Sequence, residues 1–144
     1  MNKKRIPYRP KNPSPSAVKR INKILNIKRY RGESSRVICQ LPLDALLTAV
    51  KEGFANPNSG HNSSPTIARF ITFALNSTDY CTCTFSGRIN YCETYFDVDI
   101  DSITITTLLP VDYRTIKFRR FAFNADITDE LLPDRCRAIT AWWD

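Results

Sequence analysis

Residues 81–106 read CTCTFSGRINYCETYFDVDIDSITIT, and apolar and polar side chains alternate along most of this stretch. Alternation with a period of two places one set of side chains on each face of a β-strand. Ser86–Gly87 predicts a turn inside the stretch, because small and flexible residues favour turns. We therefore expect strands on both sides of that turn, with Cys81, Cys83 and Phe85 facing a core.

Similar alternation extends the predicted β-structure to other parts of the chain. Residues 36–41 and Thr115–Phe123 each predict a strand, whereas residues 138–143 fit a strand or a helix. Strands at this spacing, roughly six to eight in all, are typical of sandwich folds. The expected fold is therefore mainly β, a sandwich that follows an N-terminal basic helical arm.

A helical pattern within the first half of the chain supports an alternative fold. Residues 43–50 place Leu and Val at helical spacing, and residues 67–75 fit either a helix or a strand. If residues 67–75 are helical, the fold is α+β, with two helices between the first strand and a small antiparallel sheet. Periodicity leaves both folds open.

Charge divides the chain into two parts. Residues 1–33 hold eleven Lys and Arg and one acid, whereas residues 34–144 hold ten Lys and Arg and thirteen Asp and Glu. The first part is therefore an arm of net charge +10 and the second a β-rich body of net charge −3. Such asymmetry predicts a polyanionic partner, here a nucleic acid.

The arm itself has two predicted pieces. Four prolines make residues 1–15 extended and disordered, and Ser16 is the expected N-cap of an amphipathic basic helix over residues 17–29. Cations bind a phosphate backbone by releasing its condensed counterions. The predicted nucleic-acid-binding residues are Lys3, Lys4, Arg5, Arg9, Lys11, Lys19, Arg20, Lys23, Lys28, Arg29 and Arg31.

The helical part of the arm resembles a known family. Residues 17–22 (Ala-Val-Lys-Arg-Ile-Asn), Leu25 and residues 28–30 (Lys-Arg-Tyr) are similar to the inward-pointing arm helix of small satellite-virus coat proteins, of the satellite tobacco necrosis virus type. The resemblance implies a jelly-roll coat protein whose arm contacts packaged nucleic acid, with RNA favoured over DNA. It also implies self-assembly into a homo-oligomeric capsid. Its location would be the virion, and before assembly the cytoplasm or nucleus of a host cell.

The start of the body resembles a second family. Residues 36–42 (Arg-Val-Ile-Cys-Gln-Leu-Pro), the helical pattern over 43–50 and Ser64-Pro65-Thr66 are similar to a ribbon-helix-helix unit. This resemblance implies a dimeric DNA-binding transcriptional regulator, in which residues 36, 38 and 40 (Arg, Ile and Gln) would face the bases. A helix over residues 64–77 favours the regulator, and a strand there favours the shell.

The sequence contains a candidate metal site, and it predicts no enzyme. Asp97, Asp99 and Asp101 alternate on one predicted strand face and could hold Mg²⁺ or Ca²⁺, although a solvated strand face has the same pattern. Ca²⁺ at a subunit contact is the possible cofactor. The spacing of Cys81 and Cys83 is not that of a zinc pair. We expect no catalytic residues, and no membrane partner because no apolar run approaches roughly 18 residues.

Overall fold

A computed structural model describes residues 6–28, 32–60, 63–79, 81–108 and 113–144. These residues form a mixed fold in which one five-stranded antiparallel sheet packs with four helices. The second sheet that a sandwich needs is not formed by the described residues. The β-structure is therefore confirmed, and the helices make up more of the fold than the alternation predicts.

The helices and strands follow a simple order along the chain. Within the sheet, the strands lie in the order β1-β2-β3-β5-β4. No helix of the described segments is long and apolar enough to cross a bilayer. The elements are α1 (Pro15–Ile24), β1 (Ser35–Pro42), α2 (Leu43–Lys51), α3 (Ile67–Leu75), β2 (Thr82–Tyr91), β3 (Phe96–Leu108), α4 (Tyr113–Phe121), β4 (Asp126–Leu131) and β5 (Cys136–Trp142).

The β2–β3 hairpin occupies the stretch that the alternation marks, but the turn predicted at Ser86–Gly87 is wrong. Strand β2 runs through Gly87, whose missing side chain allows a close approach of β3: a Cβ there would overlap the Asp99 carbonyl. The pairing register shifts at the same point. This bulge lets Ile100 and Ile103 both face the core, with 2 % and 0 % of their surface exposed.

Strand β1 does not present the residues that a ribbon-helix-helix unit would use to contact bases. Ile38 is fully buried, and β1 pairs with β2 of the same chain instead of a partner's strand. The register shifts between Ile38 and Leu41, and Gln40 adopts a φ of 50°. That irregularity turns both Ile38 and Leu41 inward, so the predicted face of Arg36, Ile38 and Gln40 is wrong.

Two segments whose composition also suits a strand form helices. Residues 67–75 are helical, which by the criterion given above favours the regulator over the shell, whereas the buried Ile38 of β1 counts against the regulator. Thr66 caps α3 by accepting a hydrogen bond from the backbone amide of Arg69 at 3.3 Å. The strand predicted over Thr115–Phe123 is wrong, because α4 occupies Tyr113–Phe121. Buried residues recur at helical spacing here: Thr115 and Phe118 within α4, and Ala122 just after it.

Aromatic rings fill the space between α3, α4 and the end of β5. Phe70 is fully buried and makes edge-to-face contacts with Phe85, Phe121 and Trp143, at centroid distances of 6.0, 5.8 and 5.4 Å. Trp143 is 3 % exposed and donates its indole N–H to the side chain of Asn124. Trp143 is therefore part of the core of this chain.

Candidate nucleic-acid interface

Helix α1 is shorter than predicted and begins earlier. Ser14, not Ser16, is the N-cap, since its hydroxyl accepts a hydrogen bond from the Ala17 amide at 3.1 Å. The sequence predicts a helix over residues 17–29, but the helix ends at Ile24. It stops there because Asn26 takes a left-handed conformation with a φ of 52°. Asparagine tolerates that conformation better than most residues.

The apolar side of α1 belongs to the core of the body. Ala17, Ile21 and Leu25 are 3 %, 0 % and 4 % exposed and lie in the same buried cluster as the strand residues. The Tyr91 hydroxyl hydrogen-bonds the side chain of Asn22. The basic helix therefore is a fixed part of the fold, with exposed Lys19, Arg20 and Lys23 on its outer side.

The segment before α1 is also bound to the body. Residues 6–14, which we call the N-terminal strap, contain no helix or strand, as their prolines predict. The Gly53 carbonyl accepts hydrogen bonds from the Tyr8 hydroxyl at 3.0 Å and from the Lys11 amide at 2.9 Å. A Cβ at Gly53 would lie 2.5 Å from the Arg9 carbonyl oxygen. The described part of the predicted disordered tail thus packs on a glycine.

The strap and the end of α2 enclose a groove of about 520 Å³, which we call the cationic groove. Arg9, Lys11 and Lys51 line it together with one acid, Glu52. Arg20 reaches across from α1 and holds both carboxylate oxygens of Glu52, at 2.8 and 2.6 Å. Because Arg20 already pairs with Glu52, the three other cations give the groove its positive charge.

The ion pair keeps Glu52 charged. The hydrogen bond from Arg20 is the largest cause that lowers the pKa of Glu52, and the charges of Arg20, Lys11 and Lys51 lower it further. The pair is solvent-exposed, so it contributes little to stability by itself. Its structural effect is to join α1 to the end of α2 beside the groove.

Charge also separates between the helices and the strands. By sequence, the four helices carry nine Lys and Arg and one acid, whereas the five strands carry three Arg and six Asp and Glu. Residues 34–144 are therefore not uniformly acidic. Sequence reasoning missed the cations that the body adds, although the helical spacing in α4 could have revealed those on α4. The described cations of this kind are Lys51, Arg69, Lys117, Arg119 and Arg120.

The predicted binding residues fall into three groups. Arg9 and Lys11 line the cationic groove. The second group is exposed on α1 or just after it: Lys19, Arg20, Lys23 and Lys28. The third group lies outside the described residues: Lys3, Lys4, Arg5, Arg29 and Arg31.

The three carboxylates predicted to hold a metal, Asp97, Asp99 and Asp101, are not grouped together among the residues described. The Asp97 carboxylate accepts a hydrogen bond from the side-chain amide of Asn90 at 3.3 Å, across the β2–β3 pair. In the described segments, no three His, Cys, Asp or Glu side chains lie close enough together to hold a metal ion. Asp97, Asp99 and Asp101 therefore add acidic charge to the sheet.

Comparisons with protein-family models, with curated proteins and with solved structures found no match to this chain. Neither of the two resemblances seen in the sequence gains or loses support from them. Function is therefore inferred from the chain's own charges and geometry.

Proposed function

We propose that this protein binds single-stranded RNA without sequence preference and packages it as the coat protein of a small virus. The observation that carries the proposal is the separation of charge, with nine cations and one acid on the helices. The basic helices would face the genome inside a particle. The acidic strands would lie away from it, so that one subunit can contact both nucleic acid and its copies.

The cations are suited to phosphate rather than to base edges. Lys19 and Lys23 are exposed on the outer side of α1, and Arg9, Lys11 and Lys51 line the cationic groove beside them. Flexible side chains of this kind neutralise phosphates and release counterions, which gives affinity without sequence readout. Packaging requires this behaviour, because a coat protein must bind every part of a genome.

Self-assembly would use the surfaces that the helices leave open. Outward-facing residues of the sheet include half-buried Asp99 and Thr104, whereas Asp97 lines a depression with Tyr8 and Pro10 of the strap. The outer strands β1 and β4 each have one unpaired edge within the described sheet. A jelly-roll sandwich would need a second sheet on the open face. A neighbouring copy could supply that sheet in an assembled shell.

The test is assembly of the full-length protein with RNA. The purified chain is mixed with a single-stranded RNA of several hundred nucleotides and followed by size-exclusion chromatography, electron microscopy and nuclease digestion. We expect closed particles of uniform size that protect the RNA. A stable dimer that prefers one duplex DNA sequence would overturn the proposal and favour a regulator.

A further inference from the structure

The four helices, which we call the helical side, carry a second feature between α3 and α4, and its residues do not line the cationic groove. The rings of Phe73 and Phe121 stack with centroids 4.5 Å apart and planes inclined by 21°. The Arg69 guanidinium lies over the Phe121 ring, 6.0 Å from its centroid. We call these three residues the aromatic platform.

The platform is held from beneath by the core. Phe121 makes edge-to-face contacts with Phe70 at 5.8 Å and with Trp143 at 6.4 Å. Both supporting residues are nearly completely buried. Phe121 itself keeps part of its surface exposed, so a rigid ring is presented at the protein surface.

An open depression of about 310 Å³ lies above the platform. It is lined by the platform residues with Ala68 and Thr72. That volume is at the lower end of the roughly 300–1,000 Å³ typical of ligand pockets. A flat aromatic group therefore has the two rings and the Arg69 guanidinium to contact, and room to enter.

The charge around the depression selects the kind of aromatic ligand. The described side chains of α4 include three cations, and α3 adds Arg69. Lys117 and Arg120 are exposed on α4, and Arg119 is exposed while it pairs with Asp129 at 3.0 Å. Phosphates of a nucleic acid complement these cations, and its bases complement the rings.

We propose that the aromatic platform stacks an unpaired base of the single-stranded RNA that the helical side binds. This inference rests on the proposed function and supplies a structural reason for its preference for single strands. Bases inside a duplex are stacked on one another, whereas the bases of a single strand can stack on aromatic and arginine side chains. Stacking tolerates every base, so it adds affinity without sequence preference.

The first test compares two ligands on the wild-type protein. One is a single-stranded oligonucleotide, and the other has the same length and backbone but lacks bases. Fluorescence anisotropy at a fixed salt concentration should show about fivefold or more tighter binding of the oligonucleotide that has bases. Equal affinity for both would overturn the stacking inference and leave phosphate binding intact, whereas no binding of either would overturn the proposed function as well.

The second test assigns the effect to the platform. Phe121→Leu keeps an apolar side chain but removes the aromatic ring, Arg69→Gln removes the guanidinium, and Ile116→Ala is the control on α4. Ile116 is apolar, 48 % exposed and does not line the depression. We expect the first two variants to reduce the advantage of the base-containing oligonucleotide and the control to retain it. Full retention of that advantage in folded Phe121→Leu and Arg69→Gln proteins would place stacking elsewhere.

Discussion

Truncation of Ile21 tests whether α1 is a structural part of the fold or a separate arm. Ile21 is fully buried in the same cluster as the strand residues. Ile21→Ala removes three carbon atoms from that cluster and leaves a cavity. In a free arm the same change would affect only a short amphipathic helix, with no effect on the unfolding of the body.

The expected loss follows from the burial of the side chain. Substitutions of buried Ile by Ala cost about 2–5 kcal/mol in the free energy of unfolding. Helix α1 lies at the edge of the core, where neighbours can adjust, so we expect a loss of about 2–3 kcal/mol. For a chain of this length each kcal/mol lowers Tm by roughly 3–5 °C, which predicts a fall of roughly 6–15 °C.

Thermal unfolding followed by circular dichroism, with urea titration as a second measurement, gives the required numbers. Lys23→Ala is the matched control, since Lys23 is exposed on the outer side of the same helix. We expect its Tm to stay close to that of the wild type. An Ile21→Ala protein that melts like the wild type would refute the docking of α1 and show that residues 15–24 behave as a separate arm.

Three further predictions concern the strap, the sheet and the ion pair. Gly53→Ala should loosen the strap and lower Tm, because the alanine Cβ would lie 2.5 Å from the Arg9 carbonyl oxygen and position 53 has a φ of +85°. The direct readout is faster proteolytic cleavage within residues 6–14, and an unchanged cleavage rate would contradict the packing of the strap on Gly53. Gly87→Ala should prevent normal folding, since its Cβ would overlap the Asp99 carbonyl; a native circular dichroism spectrum would count against that close approach. The pKa of Glu52 is lower in the folded protein than its ordinary value of 4.5. The stabilisation from the Glu52–Arg20 pair is therefore fully present at pH values above 4.5 and is lost as the pH falls through the lowered pKa of the folded protein. Glu52→Gln should remove that part of the acid dependence, measured as Tm against pH, and an identical profile in both proteins would argue against the pair with Arg20.

The elements that sequence alone predicts are those with a clean local period. Helix α2 follows the helical spacing of residues 43–50, and its Leu46 and Ala49 are buried. In β3, Val98 and Ile105 face the core as their alternation indicates. Local periodicity suffices here because a single face of each element is buried.

The remaining differences arise from contacts between distant parts of the chain. Residues 115–123 contain β-favouring Thr, Ile and Phe, yet the burial of Phe118 and Ala122 on one helical side determines α4. Propensity is a weak guide when tertiary packing opposes it. The bulges in β1 and β3 likewise depend on their partner strands.

One part of the candidate site also follows from the local sequence, and the other part depends on contacts between distant residues. The cations of α1 follow from the sequence, because Lys19 and Lys23 lie opposite its apolar side. The cationic groove does not, since it needs the Gly53 carbonyl to bring Arg9 and Lys11 beside Lys51. Only the folded chain shows that the strap and α2 meet there.

The salt dependence of RNA binding tests the central claim most directly. The affinity for a single-stranded RNA is measured across salt concentrations for wild type, for Lys19→Gln with Lys23→Gln, and for Arg88→Gln with Arg135→Asn. Both double variants remove two exposed positive charges, the first from α1, the second from β2 and from the residue just before β5. We predict that the α1 variant reduces the slope of log K against log salt by about 1.4, since each phosphate contact to a single strand contributes about 0.7. The sheet variant should keep the wild-type slope, and equal reductions in both would contradict binding by the helical side.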